Sequence, residues 1–446
     1  MTVDWLASFE ALKSVYIDGA FSNIAINEAV EQHKDCSNGF VRTFTKGVIR
    51  DTMRLDYIIS SLADKGLKGI KKRTLIVLRM GIYAIDSLDS IKDYTAVNES
   101  VKLAKMVSRG TDGFVNALLR RYIRERAKEG AGESAKEGVG EGTKGSAGEG
   151  TRKGISTEGC GLNIKYSFPD ELCNLLQSQY GDEIEELLKA LNTSPVLTIR
   201  ANSLKTTRED LISILRNDGF DCEEAVDTNN AIIVKDGNLT SSKYFKEGYF
   251  SIQGLSSIKA IEAFDPFPCS KVLDMCSAPG GKTTAMSEMM SDSGSITACD
   301  IYDHRLKLIQ SYAKRLGISN ITTRLLDGTK QDSSLAEAFD YVLCDVPCSG
   351  LGVIGSKPEI KYRVTLEEIE ELKKIQAQIL QNAFSYCKVG GRIMYSTCTI
   401  NKDENDGIVD SFVKLNPFAK IIEKCAILPY NNTMGFYYCI MEKTQK

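Results

Sequence analysis

Two cysteine-containing segments near the end of the chain could carry covalent chemistry. The first is Asp345-Val346-Pro347-Cys348-Ser349-Gly350, and the second is Tyr395-Ser396-Thr397-Cys398-Thr399. Each follows a short apolar run of the kind found in buried strands. An isolated free cysteine is most often buried and inert, but an accessible thiolate is a strong nucleophile. We therefore treat Cys348 and Cys398 as candidate catalytic residues and leave the other cysteines as core.

Such a cysteine suits chemistry at a cytosine ring. C5 of cytosine is a poor nucleophile until a thiolate adds to C6, which makes C5 enamine-like and able to attack a methyl sulfonium. The base must be flipped out before a cysteine can reach it. Asp345, if protonated when the base binds, could donate a hydrogen bond to N3 and draw charge off the ring. A base must later remove the C5 proton so that the thiolate can leave.

A glycine-rich turn at the end of an earlier strand could hold the methyl donor. The turn reads Cys276-Ser277-Ala278-Pro279-Gly280-Gly281-Lys282. Paired glycines at a strand-to-helix turn let the backbone approach a ligand closely. The spacing differs from that of a phosphate-binding P-loop, which would need a glycine at position 276, and from that of the dinucleotide fingerprint. A merely tight turn remains the alternative.

Three acids end successive strands and open onto one crevice. Asp300 ends the second strand, where a carboxylate can accept hydrogen bonds from ribose hydroxyls. Asp327 ends the third strand, placed to reach an adenine amino group, and Asp345 ends the fourth. The alternative is that these acids only cap the helices that follow.

A basic loop precedes the helix that separates the two cysteine segments. Lys357, Lys361 and Arg363 form this loop, and both phosphate contact and plain solvation remain open for it. Thr365 and Glu368 have the spacing of a capping box, which predicts that the helix begins there.

The elements around these residues predict a multidomain protein. Residues 1–128 show helical periodicity throughout, which favours an all-α bundle. Residues 129–161 are rich in Gly and Glu and are expected to be a flexible linker rather than a folded or RNA-binding tail. Residues 162–268 form a small α+β domain. Residues 269–446 alternate strands and helices, which indicates a doubly wound α/β sheet. The strands are expected at 271–275, 295–300, 321–326, 341–345 and 392–396, with 436–441 as a closing edge strand.

Composition excludes several classes of protein. No apolar run reaches the length of a membrane-spanning helix, and the N-terminus lacks the features of a signal peptide. The 13 cysteines include no Cys-x-x-Cys pair and there are only two histidines, so neither a metal site nor a disulfide framework is expected. A cytoplasmic location fits best. Residues 1–128 carry 21 Lys and Arg against 15 Asp and Glu, so this region should supply phosphate attraction if nucleic acid binds.

These motifs closely resemble the Sun/Nop/Nsun family of RNA cytosine-C5 methyltransferases. The resemblance implies S-adenosylmethionine as cofactor, with the turn from Cys276 to Lys282 and the acids Asp300, Asp327 and Asp345 in its site. In this family the nucleophile is the cysteine of the Thr-Cys motif, which implies Cys398, and the Pro-Cys cysteine, here Cys348, assists product release. DNA cytosine methyltransferases instead attack with the Pro-Cys cysteine.

The front of the chain resembles the NusB-type RNA-binding domain. The resemblance rests on Ala96-Val97-Asn98-Glu99-Ser100-Val101 and on Gly113-Phe114-Val115-Asn116-Ala117-Leu118-Leu119-Arg120. Arg200 and Asn202 resemble an Arg-x-Asn element of the family's middle domain. A NusB-like domain joined to a Rossmann-like class I methyltransferase domain points to the RsmB (Sun) branch, which modifies a cytidine of 16S small-subunit ribosomal RNA. A monomer is expected.

Two other functions remain open from the sequence. One is DNA cytosine methylation through Cys348, and the other is a non-enzymatic RNA-binding assembly factor. A separate hypothesis is that basic residues of the helical region bind RNA phosphates, because they hold most of the local positive excess. These residues are Lys68, Lys71, Lys72, Arg73, Arg120, Arg121 and Arg124.

Overall fold

A computed structural model describes residues 2–136, 157, 159–235 and 239–445. The chain forms two structural units. The first comprises Met1–Leu175 and Lys357–Arg363, and the second comprises Leu176–Ser356 and Val364–Lys446.

The first unit is helical, as the sequence predicts. Its helices are α1 (Val3–Tyr16), α2 (Ser22–Gln32), α3 (Asn38–Arg50), α4 (Thr52–Leu62), α5 (Lys72–Ser87), α6 (Asp93–Val107), α7 (Asp112–Lys136) and α8 (Leu162–Lys165). Helix α5 lies at the centre because it is apolar on nearly all sides, and Ile76, Leu78 and Ile82 are fully buried. A Cβ at Gly81 would come within 2.8 Å of Leu119 and Ser100, so glycine lets α5, α6 and α7 pack closely.

The first residues of the predicted linker are helical in the structure. Helix α7 continues to Lys136, so residues 129–136 are helical rather than flexible. The rest of the predicted linker, 137–156 and 158, lies outside the described residues. Residue 161 is the N-cap of α8.

The region 162–268 is a small α+β arrangement. Its elements beyond α8 are α9 (Asp170–Tyr180), α10 (Ile184–Leu191), β1 (Leu197–Ala201), α11 (Arg208–Asn217), β2 (Cys222–Glu224), β3 (Ala231–Val234), α12 (Lys243–Lys246), β4 (Phe250–Ile252) and α13 (Leu255–Phe264). The strands form one antiparallel sheet in the order β2-β3-β1-β4.

A seven-stranded sheet dominates the second unit. Its elements are β5 (Lys271–Asp274), α14 (Gly281–Met289), β6 (Ser295–Asp300), α15 (Asp303–Leu316), β7 (Ile321–Leu325), β8 (Phe339–Asp345), α16 (Leu366–Tyr386), β9 (Cys387–Thr397), α17 (Asp406–Leu415), β10 (Ala419–Ile427) and β11 (Phe436–Lys443). The order is β10-β11-β9-β8-β5-β6-β7. Strands β9, β8, β5, β6 and β7 are parallel to one another, which confirms the predicted fold class.

One strand prediction is wrong. The sequence predicts that residues 436–441 close the sheet as its edge, but β11 lies between β10 and β9 and pairs antiparallel with both. The edge strand on this side of the sheet is β10, whose burial pattern shows little of the apolar run that marks a central strand.

The order of the strands in this sheet indicates where a ligand would bind. From β5 the chain proceeds to β6 and β7 on one side, and then returns to β8 and β9 on the other. The reversal lies between β5 and β8, and open α/β sheets bind ligands at the carboxyl ends of strands at such a point. Asp274 and Asp345 end these two strands.

Candidate active site

The glycine-rich turn joins β5 to α14 and is tied to the neighbouring strand. The backbone N–H and the hydroxyl of Ser277 both donate to the carbonyl of Cys299 in β6, at 2.8 and 2.7 Å. Gly280 caps α14 with φ +107°, and a Cβ there would lie 3.3 Å from the Cα of Ile309. Both the conformation and the close approach require glycine at this position. The peptide bond between Ala278 and Pro279 is cis.

A cavity opens directly in front of this turn. It is lined by Gln253, Gly254, Ser257, Asp274, Cys276, Ser277, Ala278, Pro279, Gly281, Lys282 and Asp345. A Cβ at Gly281 would meet no atom within 4 Å, so glycine leaves the backbone accessible to a ligand. Six of the seven predicted turn residues therefore line the cavity, and the seventh, Gly280, shapes the turn.

Asp274 is a candidate site residue that the motifs alone do not identify. Its Oδ2 accepts a hydrogen bond from the Thr283 hydroxyl at 2.7 Å, while its buried Oδ1 has no hydrogen-bond partner among the described residues. Burial raises the pKa of Asp274 to about 7. A buried acceptor without a partner suits a ligand that brings a hydrogen-bond donor. The open backbone of Gly281 and this unpartnered acceptor fit S-adenosylmethionine, the methyl donor that the motifs predict.

Asp300 and Asp327 lie at the same edge of the sheet but are not among the residues lining that cavity. Asp300 ends β6, is 5% exposed, and accepts from the backbone N–H of Tyr302 at 3.0 Å. Asp327 follows β7 and accepts from the N–H and hydroxyl of Thr329 at 3.1 and 2.6 Å. Each acid therefore holds the loop after its own strand. The second oxygen of each is near a cation, Arg305 at 3.7 Å for Asp300 and Lys330 at 3.1 Å for Asp327, and a carboxylate oxygen has a further lone pair for a ligand.

The two candidate nucleophiles are side by side. The sulfur atoms of Cys348 and Cys398 are 3.4 Å apart, although the residues are separated by 50 positions in the chain. The hydrogen bond with Cys398, together with burial, raises the pKa of Cys348 well above its ordinary value. The Cys348 thiol therefore favours its neutral form more than an ordinary cysteine does.

A lysine and an acid complete this cluster. The ammonium of Lys282 donates to Asp345 Oδ2 at 2.7 Å, and the Ser396 hydroxyl donates to Asp345 Oδ1 at 2.9 Å. Burial alone would lower the pKa of Lys282, but the charges of Asp345 and Cys398 outweigh it and raise this pKa. The Lys282 ammonium also lies 5.0 Å from the centre of the Phe436 ring. A positive charge is thus held on Asp345 and interacts electrostatically with Cys398.

The predicted basic loop is wrong at Lys361, where burial excludes both phosphate contact and solvation. Within the first unit, Lys361 is fully buried, donates to the carbonyl of Tyr166 at 3.2 Å and lies 4.4 Å from the Phe168 ring centre. Burial lowers its pKa. Arg363 donates to the carbonyl of Ala20 at 2.5 Å. Lys361 is thus used in packing, whereas Arg363 is half-buried and lies 4.7 Å from the centre of the Phe21 ring.

Most of the proposed phosphate-binding residues are exposed. Lys68, Lys71, Lys72, Arg73, Arg120 and Arg124 are exposed, and Arg121 is half-buried with its guanidinium donating to the carbonyl of Leu62 at 2.8 Å. Lys72 and Arg73 occupy the first turn of α5, where the helix dipole disfavours cations.

Within the described ranges, no helix is long and apolar enough to cross a membrane. The same residues include no group of three or more His, Cys, Asp or Glu side chains that could hold a metal ion.

Family models match three parts of the chain. The model described as 16S rRNA methyltransferase RsmB/F matches residues 261–439. The NusB family model matches residues 5–124, and a model of the ferredoxin-like domain of RsmF/B-like methyltransferases matches residues 168–239.

Known proteins resemble the chain over nearly its whole length. Probable ribosomal RNA small subunit methyltransferase B of Bacillus subtilis (strain 168) is 30% identical over 98% of this chain and 98% of its own. Ribosomal RNA small subunit methyltransferase B of Photorhabdus laumondii is 28% identical over 97% of each chain. The crystal structure of PH0851 has a TM-score of 0.80 at 24% identity and covers 99% of each chain. That of NSun6 from Pyrococcus horikoshii with SFG has a TM-score of 0.58 at 22% identity, covering 63% of this chain and 99% of that one.

The two solved structures support the fold, and the full-length match to the Bacillus subtilis protein supports the family. The chain therefore belongs to the RsmB (Sun) family of ribosomal RNA small subunit methyltransferases, as its motifs predict, and is a methyltransferase.

Proposed function

We propose that this protein transfers a methyl group from S-adenosylmethionine to C5 of a cytidine in 16S ribosomal RNA, through a covalent bond between Cys398 and C6. The observation that carries the proposal is the 3.4 Å contact between Cys348 and Cys398, in a cluster with Lys282 and Asp345. The names of the relatives supply the RNA class.

The cofactor is assigned to the crevice at the carboxyl edge of the sheet. The turn from Cys276 to Lys282 would lie against it, Asp300 would accept from its ribose hydroxyls and Asp327 from its adenine amino group. S-adenosylmethionine, when bound, supplies an electrophilic methyl group. The unpartnered oxygen of Asp274 is available to its ammonium group.

Cys398 begins the reaction as a thiolate. Its sulfur forms a bond to C6 of the flipped-out cytosine, the C5–C6 double bond opens, and the electron pair moves toward N3 and O2 of the ring. Cys348 retains its proton and can hydrogen-bond to the thiolate before attack. The Lys282 ammonium stabilises the same thiolate by charge.

Asp345 is assigned to the ring nitrogen. Both its oxygens accept hydrogen bonds in the structure, so donation to N3 requires that Asp345 first takes up a proton. A proton at N3 neutralises the charge that the addition of the thiolate pushes into the ring.

Release restores the aromatic ring. A base removes the proton from C5, the electron pair re-forms the C5–C6 double bond, and the Cys398 sulfur leaves as a thiolate. We assign Cys348 to this step because it is in contact with the departing sulfur. A further part of the proposal is that the exposed basic residues of α5 and α7 contact RNA phosphates.

The domains 1–128, 162–268 and 269–446, with a linker that begins after Lys136, a monomeric state and a cytoplasmic location are parts of the same proposal. They agree with a chain that carries its own RNA-binding and catalytic regions. Size-exclusion chromatography with light scattering would test the monomer.

The decisive experiment is methyl transfer from labelled S-adenosylmethionine to undermethylated small-subunit ribosomal RNA. We expect the wild type to label cytidine, Cys398→Ala to be inactive, and Cys348→Ala to accumulate a covalent protein–RNA complex. RNA containing 5-fluorocytidine should trap the wild type but not Cys398→Ala. An adduct that required only Cys348, or transfer to DNA rather than RNA, would overturn the assignment.

A further inference from the structure

Glu404 is a fully buried carboxylate to which neither the motifs nor the family resemblance assigns a role. It lies in the loop between β9 and α17, and its side chain is inaccessible to solvent. Burying a carboxylate is costly unless hydrogen bonds replace its water. Glu404 receives such bonds at both oxygens, so this one group connects several donors.

Two of the groups near the Glu404 carboxylate belong to the residues that come directly after the two cysteines in the sequence. Oε1 accepts from the backbone N–H of Ser349 at 2.8 Å, and Oε2 accepts from the Ser349 hydroxyl at 2.5 Å. Oε2 also lies 3.5 Å from the hydroxyl of Thr399. Ser349 is the residue after Cys348, and Thr399 is the residue after Cys398. The two hydroxyls are themselves hydrogen-bonded at 2.7 Å, so the carboxylate joins both cysteine segments.

Other side chains hold this arrangement in place. Gln376 of α16 donates both to Glu404 Oε1 and to the carbonyl of Pro347, the residue before Cys348, each at 3.0 Å. Asn401 donates to Oε2 at 3.0 Å, and the hydroxyl of Tyr395 donates to the Glu404 carbonyl at 2.6 Å. The Cys348 segment is therefore fixed on both sides of its cysteine, by bonds that all lead to Glu404.

We propose that Glu404 is the positioning residue that holds the Cys348 and Cys398 segments in register, so that the two sulfur atoms remain in contact during addition and release. This role rests on the proposed function. A rigid carboxylate suits the task because hydrogen bonds to an ionised acceptor are shorter and stronger than neutral ones. Reaction rates depend steeply on such placement, and a displacement of roughly 1 Å can cost about 100-fold.

The charge of Glu404 also affects the cysteine pair, through the pKa of Cys348. After the hydrogen bond with Cys398 and burial, the charges of Cys398 and Glu404 further raise the pKa of Cys348. The charge of Glu404 thus favours the neutral form of the Cys348 thiol. Its side chain touches neither sulfur in the hydrogen-bond pattern, so it acts through Ser349 and Thr399.

The test is the single-turnover rate of adduct formation on 5-fluorocytidine RNA at saturating S-adenosylmethionine. Glu404→Gln keeps the shape but turns one acceptor into a donor that faces N–H and O–H groups. We expect the adduct rate to fall by about 100-fold, with the dissociation constant of S-adenosylmethionine unchanged. Ser349→Ala combined with Glu404→Gln should lose little more than Glu404→Gln alone, because both changes break the same connection.

A matched control is Asp340→Asn at the opposite edge of the sheet. Asp340 joins two elements by accepting from Lys388 at 2.6 Å and from the backbone N–H of Lys271 at 2.8 Å. Its loss should lower stability while leaving the adduct rate unchanged. If Glu404→Gln does not fold, Thr399→Val breaks the connection from the other side and should slow the adduct in the same way.

The outcomes separate this inference from the proposed function. A wild type that forms no adduct with RNA would overturn the proposed function. An active wild type beside a Glu404→Gln variant with a normal adduct rate would overturn the role of Glu404 alone. The role of Glu404 would also be overturned if the double variant lost adduct rate by the sum of the two single losses. The same holds if weaker S-adenosylmethionine binding explained the lower adduct rate.

Discussion

At the scale of single residues, Asp274 shows how burial prepares a group for a ligand. The carboxyl is inaccessible to solvent at the end of β5, and one of its oxygens has no hydrogen-bond partner among the described residues. Burial disfavours the charged form and moves the pKa from its ordinary 3.8 to about 7. The folded, cofactor-free protein therefore binds a proton at this site that the unfolded chain releases near pH 4.

A raised pKa in the folded state makes stability fall as the pH rises. We expect the contribution of Asp274 to be fully present below about pH 4 and lost as the pH increases through about 7. Asp274→Asn should remove this dependence. Urea unfolding of the cofactor-free protein between pH 5 and 8 measures it, by comparing the slopes for wild type and variant. Equal slopes would contradict the assignment.

At the scale of elements, one buried arginine joins the small sheet to the cofactor turn. Arg200 of β1 donates to both oxygens of Glu288 in α14 at 2.9 Å and to the carbonyl of Gly281 at 2.9 Å. It also bonds to Gln253, and the side chains of Arg200 and Glu288 are less than 5% exposed. Asn202, two residues later, donates to the carbonyls of Gly248 and Leu316. The Arg-x-Asn element thus connects the four-stranded sheet, through β1, to α14 and α15.

Removing one charge of this pair should be far worse than removing both. Arg200→Met leaves Glu288 buried without its partner, and we expect a loss of about 3–5 kcal/mol in the free energy of unfolding. The double variant Arg200→Met with Glu288→Leu should recover much of that loss, because two apolar side chains replace two desolvated charges. Urea denaturation of the three proteins measures this, and an equal or larger loss in the double variant would refute it.

At the scale of the whole molecule, charge is divided between the two ends of the sequence. Residues 1–128 have six more basic than acidic side chains, whereas residues 162–446 have seven more acidic than basic ones. The exposed cations of α5 and α7 include Lys72, Arg73 and Arg120. A polyanion such as RNA is attracted by the first region and repelled on average by the second.

Neutralising this basic surface should weaken RNA binding in a salt-dependent way. With Lys71, Lys72, Arg73, Arg120 and Arg124 changed to Gln, the slope of log affinity against log salt should fall by about 0.7–0.9 for each phosphate that the protein no longer neutralises. Filter binding at several salt concentrations measures the slope. Lys414→Gln with Lys420→Gln, two exposed lysines of the second unit, should change it little. An unchanged slope in the first variant would mean that these cations are only solvated.

Local patterns in the sequence were sufficient to predict many of the helices and strands and the position of the glycine-rich turn. The strand at 295–300 has the predicted bounds, and the predicted capping box of Thr365 and Glu368 begins α16. Helical periodicity predicts the helices of residues 1–128, and the turn from Cys276 to Lys282 lies where a strand meets a helix. These features depend on residues within a few positions of one another, so spacing and backbone preference determine them.

Contacts between residues that are distant in the sequence could be decided only by the tertiary structure, because they depend on strand order and packing. The sequence identified Cys348 and Cys398 as candidates, but their contact exists because β8 and β9 are neighbours in parallel register. The antiparallel insertion of β11, the burial of Lys361 and the partners of Glu404 also had no local signal. Each arises from contacts between distant segments. Their energies depend on which side chains meet and how much water they lose, and a linear pattern contains neither.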